Sequence, residues 1–230
     1  IFNNFTPTET VLTVDQLWPM AFRKAGYFMG SIGKVHHNTG EGYGADPAPW
    51  TFPLYDQVPT ILSVGPNAGE HATTNFGGAL GGLGFATGDA EFFDAQVAAS
   101  FETFIANYDE DRPFYFECGF FHPHEPRNAP IRFFEAVDYD NLTPPEDWED
   151  GWQTASFATD VFVNKPTTPP STWSAAQLVS WKGDVGNYLA AVMHLDYQLG
   201  RVLDALEASD HDDNTIIALF SDHGSEPRSR

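Results

Sequence analysis

Three short apolar runs, each followed at once by polar residues, constrain the fold of this chain most strongly. The runs are residues 27–32, 113–121 and 216–220, and residues with helical periodicity lie between them. Runs this uniformly apolar are typical of parallel strands that are covered on both faces. Strands that alternate with helices in this way predict an α/β fold, with a mostly parallel central sheet flanked by helices.

Apolar residues recur at helical spacing in three segments. The first lies within residues 13–26, and the second runs from Phe93 to Ile105 with Asp89 or Asp94 as a candidate N-cap. The third, residues 185–206, is the strongest helix pattern in the chain. We expect it to bury one broad apolar face, formed by Tyr188, Leu189, Val192, Leu195, Leu199, Val202, Leu203 and Leu206.

Two long segments show little periodicity of either kind. Residues 38–88 are rich in Gly, Pro and Asn, and residues 127–175 are rich in Pro and acidic residues. We expect both to be irregular excursions from a single domain that spans residues 1–230. Gly77–Gly84 is glycine-rich but lacks the Gly-x-x-x-x-Gly-Lys-Ser/Thr pattern, so nucleotide binding is not predicted.

The charge and the hydropathy of the chain exclude two classes of partner. The formal net charge is −21, from 32 acidic and 11 basic residues, and would repel the phosphate backbone of a nucleic acid. No run approaches the roughly 20 apolar residues that a membrane-spanning helix needs.

The first residues lack a basic secretion signal and an initiator Met, so we expect the chain to begin within a longer protein.

Side chains suited to anion binding follow the first two apolar runs. Lys34, His36 and His37 follow the first run, and His124 lies just after the second. Because parallel strands end at the same edge of a sheet, we expect these side chains to converge there. Positive charges and hydrogen-bond donors around an oxyanion are what the transfer of a sulfuryl or phosphoryl group requires.

Asp222 and His223 follow the third run. A hard divalent cation prefers oxygen ligands and tolerates an imidazole, so each residue could supply one ligand. Such a site needs about six donors, so the other ligands must come from elsewhere in the fold or from sequence outside this chain. On the residues alone, Asp222 could equally cap a following turn.

Three blocks of this sequence resemble sulfatases of the alkaline-phosphatase-like superfamily. Residues 25–37 are similar to the sulfatase segment that supplies a sulfate-binding Lys and His. Residues 112–126 resemble the family's strand that ends in a Pro-His-x-Pro turn. Residues 188–206, followed by Ser221-Asp222-His223-Gly224, resemble the sulfatase helix and metal strand, and the Asp-His pair is typical of the iduronate-2-sulfatase-like branch.

This resemblance implies a sulfuric ester hydrolase that acts on a sulfated sugar or a related sulfate ester. It assigns the sulfate oxygens to Lys34, His37 and His124, and a calcium ion in part to Asp222 and His223. The Lys-x-x-His spacing of the iduronate-2-sulfatase-like branch selects His37, whereas the Lys-x-His spacing of arylsulfatases would select His36. One of these histidines could protonate the leaving alcohol. The implied compartment is extracellular, periplasmic or lysosome-like.

The chain departs from the family pattern at the nucleophile. Sulfatases convert the Cys of a Cys-x-Pro/Ala/Ser-x-Arg motif to formylglycine, whereas Cys118, the single cysteine, lies in an apolar run without that motif. We expect the Cys118 thiol to be buried and inert. The family's paired N-terminal metal-binding aspartates are also missing. We therefore expect a chain truncated at both ends, with formylglycine in a missing N-terminal segment, that is inactive alone.

Two other interpretations stay open. A phosphodiesterase or phosphonate hydrolase of the same superfamily needs a similar metal site and similar oxyanion-binding groups. A non-catalytic relic would keep the anion-binding residues and act as a binding module.

Overall fold

The computed structural model describes residues 12–35, 54–57, 73–78, 81–144, 146, 149 and 169–221. In chain order its elements are α1 (Met20–Lys24), β1 (Phe28–Gly33), β2 (Thr73–Asn75), β3 (Leu83–Phe85), α2 (Phe93–Asn107), β4 (Phe114–Gly119), β5 (Ala129–Pro130), α3 (Ile131–Glu135) and α4 (Ala175–Glu207). They belong to two compact units. The assignment of the whole chain to one domain stays a prediction.

The first unit contains the predicted parallel strand pair. It comprises Ile1–Pro66, Asp89–Phe121 and Leu195–Thr215. Strands β1 and β4 pair in parallel, in one unbroken register from Phe28 with Phe114 to Gly33 with Gly119. The parallel strands and their helices confirm the predicted α/β class.

Helix α2 covers one face of this sheet with aromatic side chains. The ring centroids of Phe104 in α2 lie 5.4 Å from Phe28 of β1 and 4.5 Å from Phe116 of β4. On the opposite face Met29 packs against Leu54 and other apolar side chains. These two layers bury every residue of β1, as the sequence predicts.

Strand β4 is less buried than the sequence predicts. All six of its residues are only half-buried, although their uniformly apolar character predicts cover on both faces. Within the described part of the chain β1 is the one strand paired with β4. The other edge of β4 therefore lacks a neighbouring strand there, and side chains beside that edge stay partly exposed.

The second unit is built on a small mixed sheet. It comprises Asn67–Gly88, His122–His194 and Ile216–Arg230. Strand β3 pairs antiparallel with β2 and parallel with β5. These strands and α3 lie in segments that the sequence predicts to be irregular. Each element has only two to five residues, which is too short to show a repeating pattern of apolar residues.

Helix α4 buries a different face from the one predicted. It begins at Ala175 rather than at residue 185. Its buried side chains include Asp184, Asn187, Ala190, Ala191, His194, Gln198, Val202 and Leu206. Only Val202 and Leu206 of these belong to the predicted apolar face, whereas Leu189 and Leu203 of that face are each 38% exposed.

Hydrogen bonds explain why a polar residue lies inside this helix packing. Asn187 Nδ2 donates to the carbonyl oxygens of Gly77 at 2.7 Å and Gly81 at 3.4 Å. The Tyr139 hydroxyl donates to Asn187 Oδ1 at 3.0 Å. Buried polar groups are tolerated when they are hydrogen-bonded in this way, and a search for apolar periodicity cannot detect such partners.

Residues 216–220 do not form the buried strand that their sequence predicts. They have no strand conformation, and Ile216 and Phe220 are 96% and 77% exposed. No strand in the described ranges pairs with them. Because a strand must hydrogen-bond its backbone to a neighbour, an apolar run alone does not create one.

None of the described helices combines the length and the apolar character that a bilayer crossing requires.

We expect Asn187→Ala to destabilise the protein by about 2 kcal/mol, because it leaves buried carbonyl and hydroxyl groups without partners. Leu189→Ala, on the exposed side of the same helix, should change the free energy of unfolding by about 0.5 kcal/mol or less. Urea denaturation followed by circular dichroism measures both. A larger loss for Leu189→Ala would contradict the observed orientation of α4.

Candidate functional site

Two of the predicted site residues lie in the described part of the chain. Lys34 follows β1 directly, and His124 lies in the turn that follows β4. The other four candidates, His36, His37, Asp222 and His223, lie outside the described residues, so their roles stay predictions.

Two glycines fix Lys34 at the carboxyl end of the parallel pair. The Lys34 backbone N–H donates to the Gly119 carbonyl oxygen at 2.7 Å. Gly33 has a φ of +80°, in the left-handed region that disfavours other residues. A Cβ atom at Gly119 would collide with the Lys34 backbone. The ends of β1 and β4 can therefore close on each other only with glycine at both positions.

A buried carboxylate fixes the chain where it leaves β4. Asp94, fully buried in the first turn of α2, accepts a hydrogen bond from the Phe121 N–H at 2.6 Å. Asp89 and Asp94 were both candidates for the N-cap of this helix, but the N-cap is Phe92. Because the Asp94 carboxylate bonds Phe121, it connects α2 to the segment that leads toward the His124 turn.

His122 stabilises the turn that contains His124. Its ring is buried, and its Nε2 lies 3.0 Å from the carbonyl oxygen of Asn128. Since a carbonyl oxygen only accepts, Nε2 carries the proton of this bond. The ring also meets His194 edge to face, with centroids 5.1 Å apart. His122 was not among the predicted site residues, although its place in the His-Pro-His triplet is a signal that could have identified it.

The ring of His124 has a defined tautomer. His124 is exposed, and its Nδ1 lies 2.6 Å from the carbonyl oxygen of Glu125. The carbonyl can only accept, so Nδ1 is the donor. Neutral His124 therefore has its lone pair on Nε2, and only the imidazolium can donate from Nε2 to an anion.

A buried arginine, which was not among the predicted site residues, lies three residues beyond His124. Arg127 is 1% exposed. It donates through Nη1 to the carbonyl oxygen of Asp184 at 3.1 Å, and its guanidinium lies 5.3 Å from the centre of the Tyr188 ring. Burial lowers the pKa of Arg127, and the carboxylates of Glu125 and Asp184 oppose that shift.

Cys118 is a poor nucleophile in this fold. It lies in β4, and burial, together with the neighbouring Glu117 carboxylate, raises the pKa of its thiol to about 12. At neutral pH such a thiol is almost entirely protonated, and the thiolate is the reactive form.

Comparison with known proteins relates the chain to sulfatases. The family model described as Sulfatase matches residues 13–229. A sulfatase of Formosa agariphila is 34% identical over 218 residues, covering 90% of this chain and 41% of the relative. Iduronate 2-sulfatase of Homo sapiens is 26% identical over 223 residues, covering 90% of this chain and 40% of the relative. The chain thus spans about two fifths of the length of these two relatives.

Solved structures share the fold at low sequence identity. One, described as a complex with its substrate D-glucosamine-2-N,6-O-disulfate, aligns with a TM-score of 0.51 and 16% identity, covering 89% of this chain and 49% of that one. The phosphonate monoester hydrolase of Agrobacterium radiobacter aligns with a TM-score of 0.50 and 17% identity, covering 83% and 43%.

We expect the Cys118 thiol to react with iodoacetamide far more slowly than an ordinary cysteine at pH 8. A pKa near 12 lowers the thiolate fraction about a thousandfold relative to the ordinary value of 9.0. Mass spectrometry of the alkylated chain gives the rate, and the same chain unfolded in urea is the control. Equal rates in the folded and unfolded chains would contradict the raised pKa of this thiol.

Proposed function

Because the chain belongs to the sulfatase family, we propose that it provides the sulfate-binding part of a sulfuric ester hydrolase. The observation that carries this proposal is the parallel register of β1 and β4, which ends both strands at one edge. Lys34 follows the first strand, and the chain continues from the second into the His124 turn. The proposed substrate is a sulfated sugar or a related sulfate ester, a class to which the ligand of one structural neighbour belongs.

In this proposal three cationic or hydrogen-bonding side chains contact the sulfate oxygens. The Lys34 ammonium supplies a fixed positive charge, and the His124 imidazolium donates from Nε2. His37 is preferred to His36 as the third contact because of its Lys-x-x-His spacing. One of the histidines also protonates the leaving alcohol as the ester bond breaks.

Asp222 and His223 are proposed to hold part of a Ca²⁺ site. Their carboxylate oxygen and imidazole nitrogen suit a hard divalent cation but supply only two of about six donors. When bound, such an ion neutralises negative charge on the sulfuryl oxygens.

The 230-residue chain is proposed to bind sulfate without hydrolysing its esters. Its single cysteine, Cys118, lacks the motif from which sulfatases generate formylglycine. Formylglycine would then belong to sequence outside this chain, in a protein of an extracellular, periplasmic or lysosome-like compartment.

A phosphodiesterase or phosphonate hydrolase is the alternative. The fold shared with a phosphonate monoester hydrolase supports it, because the same charged groups would bind a phosphonate ester. Competition between sulfate and methylphosphonate for the chain distinguishes the two, and tighter binding of methylphosphonate would favour the alternative.

We expect Lys34→Ala and His124→Gln each to weaken binding of D-glucosamine-2-N,6-O-disulfate about tenfold or more. Each removes a charge-assisted hydrogen bond worth about 1.5–3 kcal/mol. Isothermal titration calorimetry measures the affinity. Lys24→Ala, at a lysine with a 65% exposed side chain in α1, is the matched control and should leave binding unchanged. Equal losses in all three variants would indicate only a general charge effect.

The two candidate histidines after Lys34 can be separated by substitution. We expect His37→Gln to weaken sulfate binding about tenfold and His36→Gln to weaken it less than about twofold. The same calorimetric titration decides between them. The reverse order would assign the contact to His36 and contradict the iduronate-2-sulfatase-like spacing.

A further inference from the structure

We infer that Arg127 is a positioning residue, which fixes the ring orientation and the tautomer of His124 through Glu125. The inference rests on the proposed function, because it gives His124 a reason to be held in one orientation. Its physical basis is a series of contacts from a buried guanidinium, through a carboxylate, to an imidazole.

The guanidinium of Arg127 is buried and contacts α4 at two places. Its side chain is 1% exposed, which is rare for an arginine. Helix α4 holds it by two contacts, a hydrogen bond from Nη1 to the Asp184 carbonyl oxygen and the face of the Tyr188 ring. A buried cation held in this way is a fixed point from which other groups can be positioned.

Arg127 in turn holds the residue next to His124. Its Nη2 lies 3.5 Å from Glu125 Oε1, and the Glu125 side chain is 46% exposed. A half-exposed glutamate is ordinarily mobile, but attraction to a buried cation restricts it. Glu125 also carries the carbonyl group that contacts His124, so holding its side chain limits the conformations open to that carbonyl group.

The carbonyl group of Glu125 transmits this restraint to His124. It accepts the Nδ1–H of His124 at 2.6 Å, so the position of the carbonyl determines both the ring angle and the tautomer. An exposed imidazole without this bond would rotate and exchange between its two tautomers. With the bond, the ring keeps one orientation, so the Nε2–H of protonated His124 keeps one direction toward a sulfate oxygen.

Nitrogen NMR of the 230-residue chain, labelled with 15N-histidine, tests the inference without any ligand. Two-bond proton–nitrogen spectra distinguish Nδ1–H from Nε2–H imidazoles, and the His124 signals are assigned by their loss in His124→Gln. We expect the wild-type chain to show His124 with its proton on Nδ1. Arg127→Met and Glu125→Gln should shift His124 toward a mixture of tautomers. Arg127→Lys should shift it less, because the charge is kept.

Arg132→Met is the matched control, because it removes a guanidinium that packs on Phe133 in α3 of the same unit. It should leave the His124 signals unchanged. If circular dichroism shows that Arg127→Met does not fold, Glu125→Gln decides, since its side chain is half-exposed. An unchanged Nδ1–H signal in a folded Glu125→Gln or Arg127→Met variant would overturn the inference.

Sulfate affinity separates this inference from the proposed function. We expect Glu125→Gln to weaken binding of inorganic sulfate, but less than His124→Gln does, because the imidazole is still present. A tautomer shift in a chain that binds no sulfate would uphold the link from Arg127 to His124 and overturn the proposed role of His124.

Discussion

The parallel pairing of β1 with β4 is the constraint on which the rest of the first unit depends. Six residue pairs fix the register, and Gly33 and Gly119 let the strand ends close on each other. Lys34 is held there by its own backbone, through the hydrogen bond to the Gly119 carbonyl oxygen. Because the strands run in the same direction, their carboxyl ends lie at the same edge of the sheet, where α/β sheets bind ligands.

Hydrogen bonds of buried polar groups organise the second unit. His122 donates a hydrogen bond to a backbone carbonyl of its own turn, and Arg127 donates one to a backbone carbonyl of α4. Asn187 donates one to a backbone carbonyl of the glycine-rich segment. Each bond offsets the cost of removing a polar group from water, which is large when no partner exists. The turn that carries His124 is thereby held by the hydrogen bonds of His122 and Arg127.

The apolar pattern of the sequence predicted three elements of the first unit, whereas the apolar run at residues 216–220 forms no strand. Strand β1, helix α2 and strand β4 form where the apolar residues indicate. Their aromatic and aliphatic side chains pack against one another in shared apolar clusters. The buried face of α4 was predicted wrongly, since it depends on hydrogen-bond partners far away in sequence. Arg127 was missed for a related reason, because arginine is normally exposed and its burial depends on α4. Lys34 and His124 were identified as candidates because they follow strands.

A crystal structure of the chain soaked in selenate, an isostere of sulfate, tests the central claim most directly. The anomalous signal of selenium locates the ion without bias. The proposed function places one selenate within hydrogen-bonding distance of both Lys34 Nζ and His124 Nε2. A selenate bound elsewhere, or Lys34 and His124 too far apart to contact one ion, would contradict it.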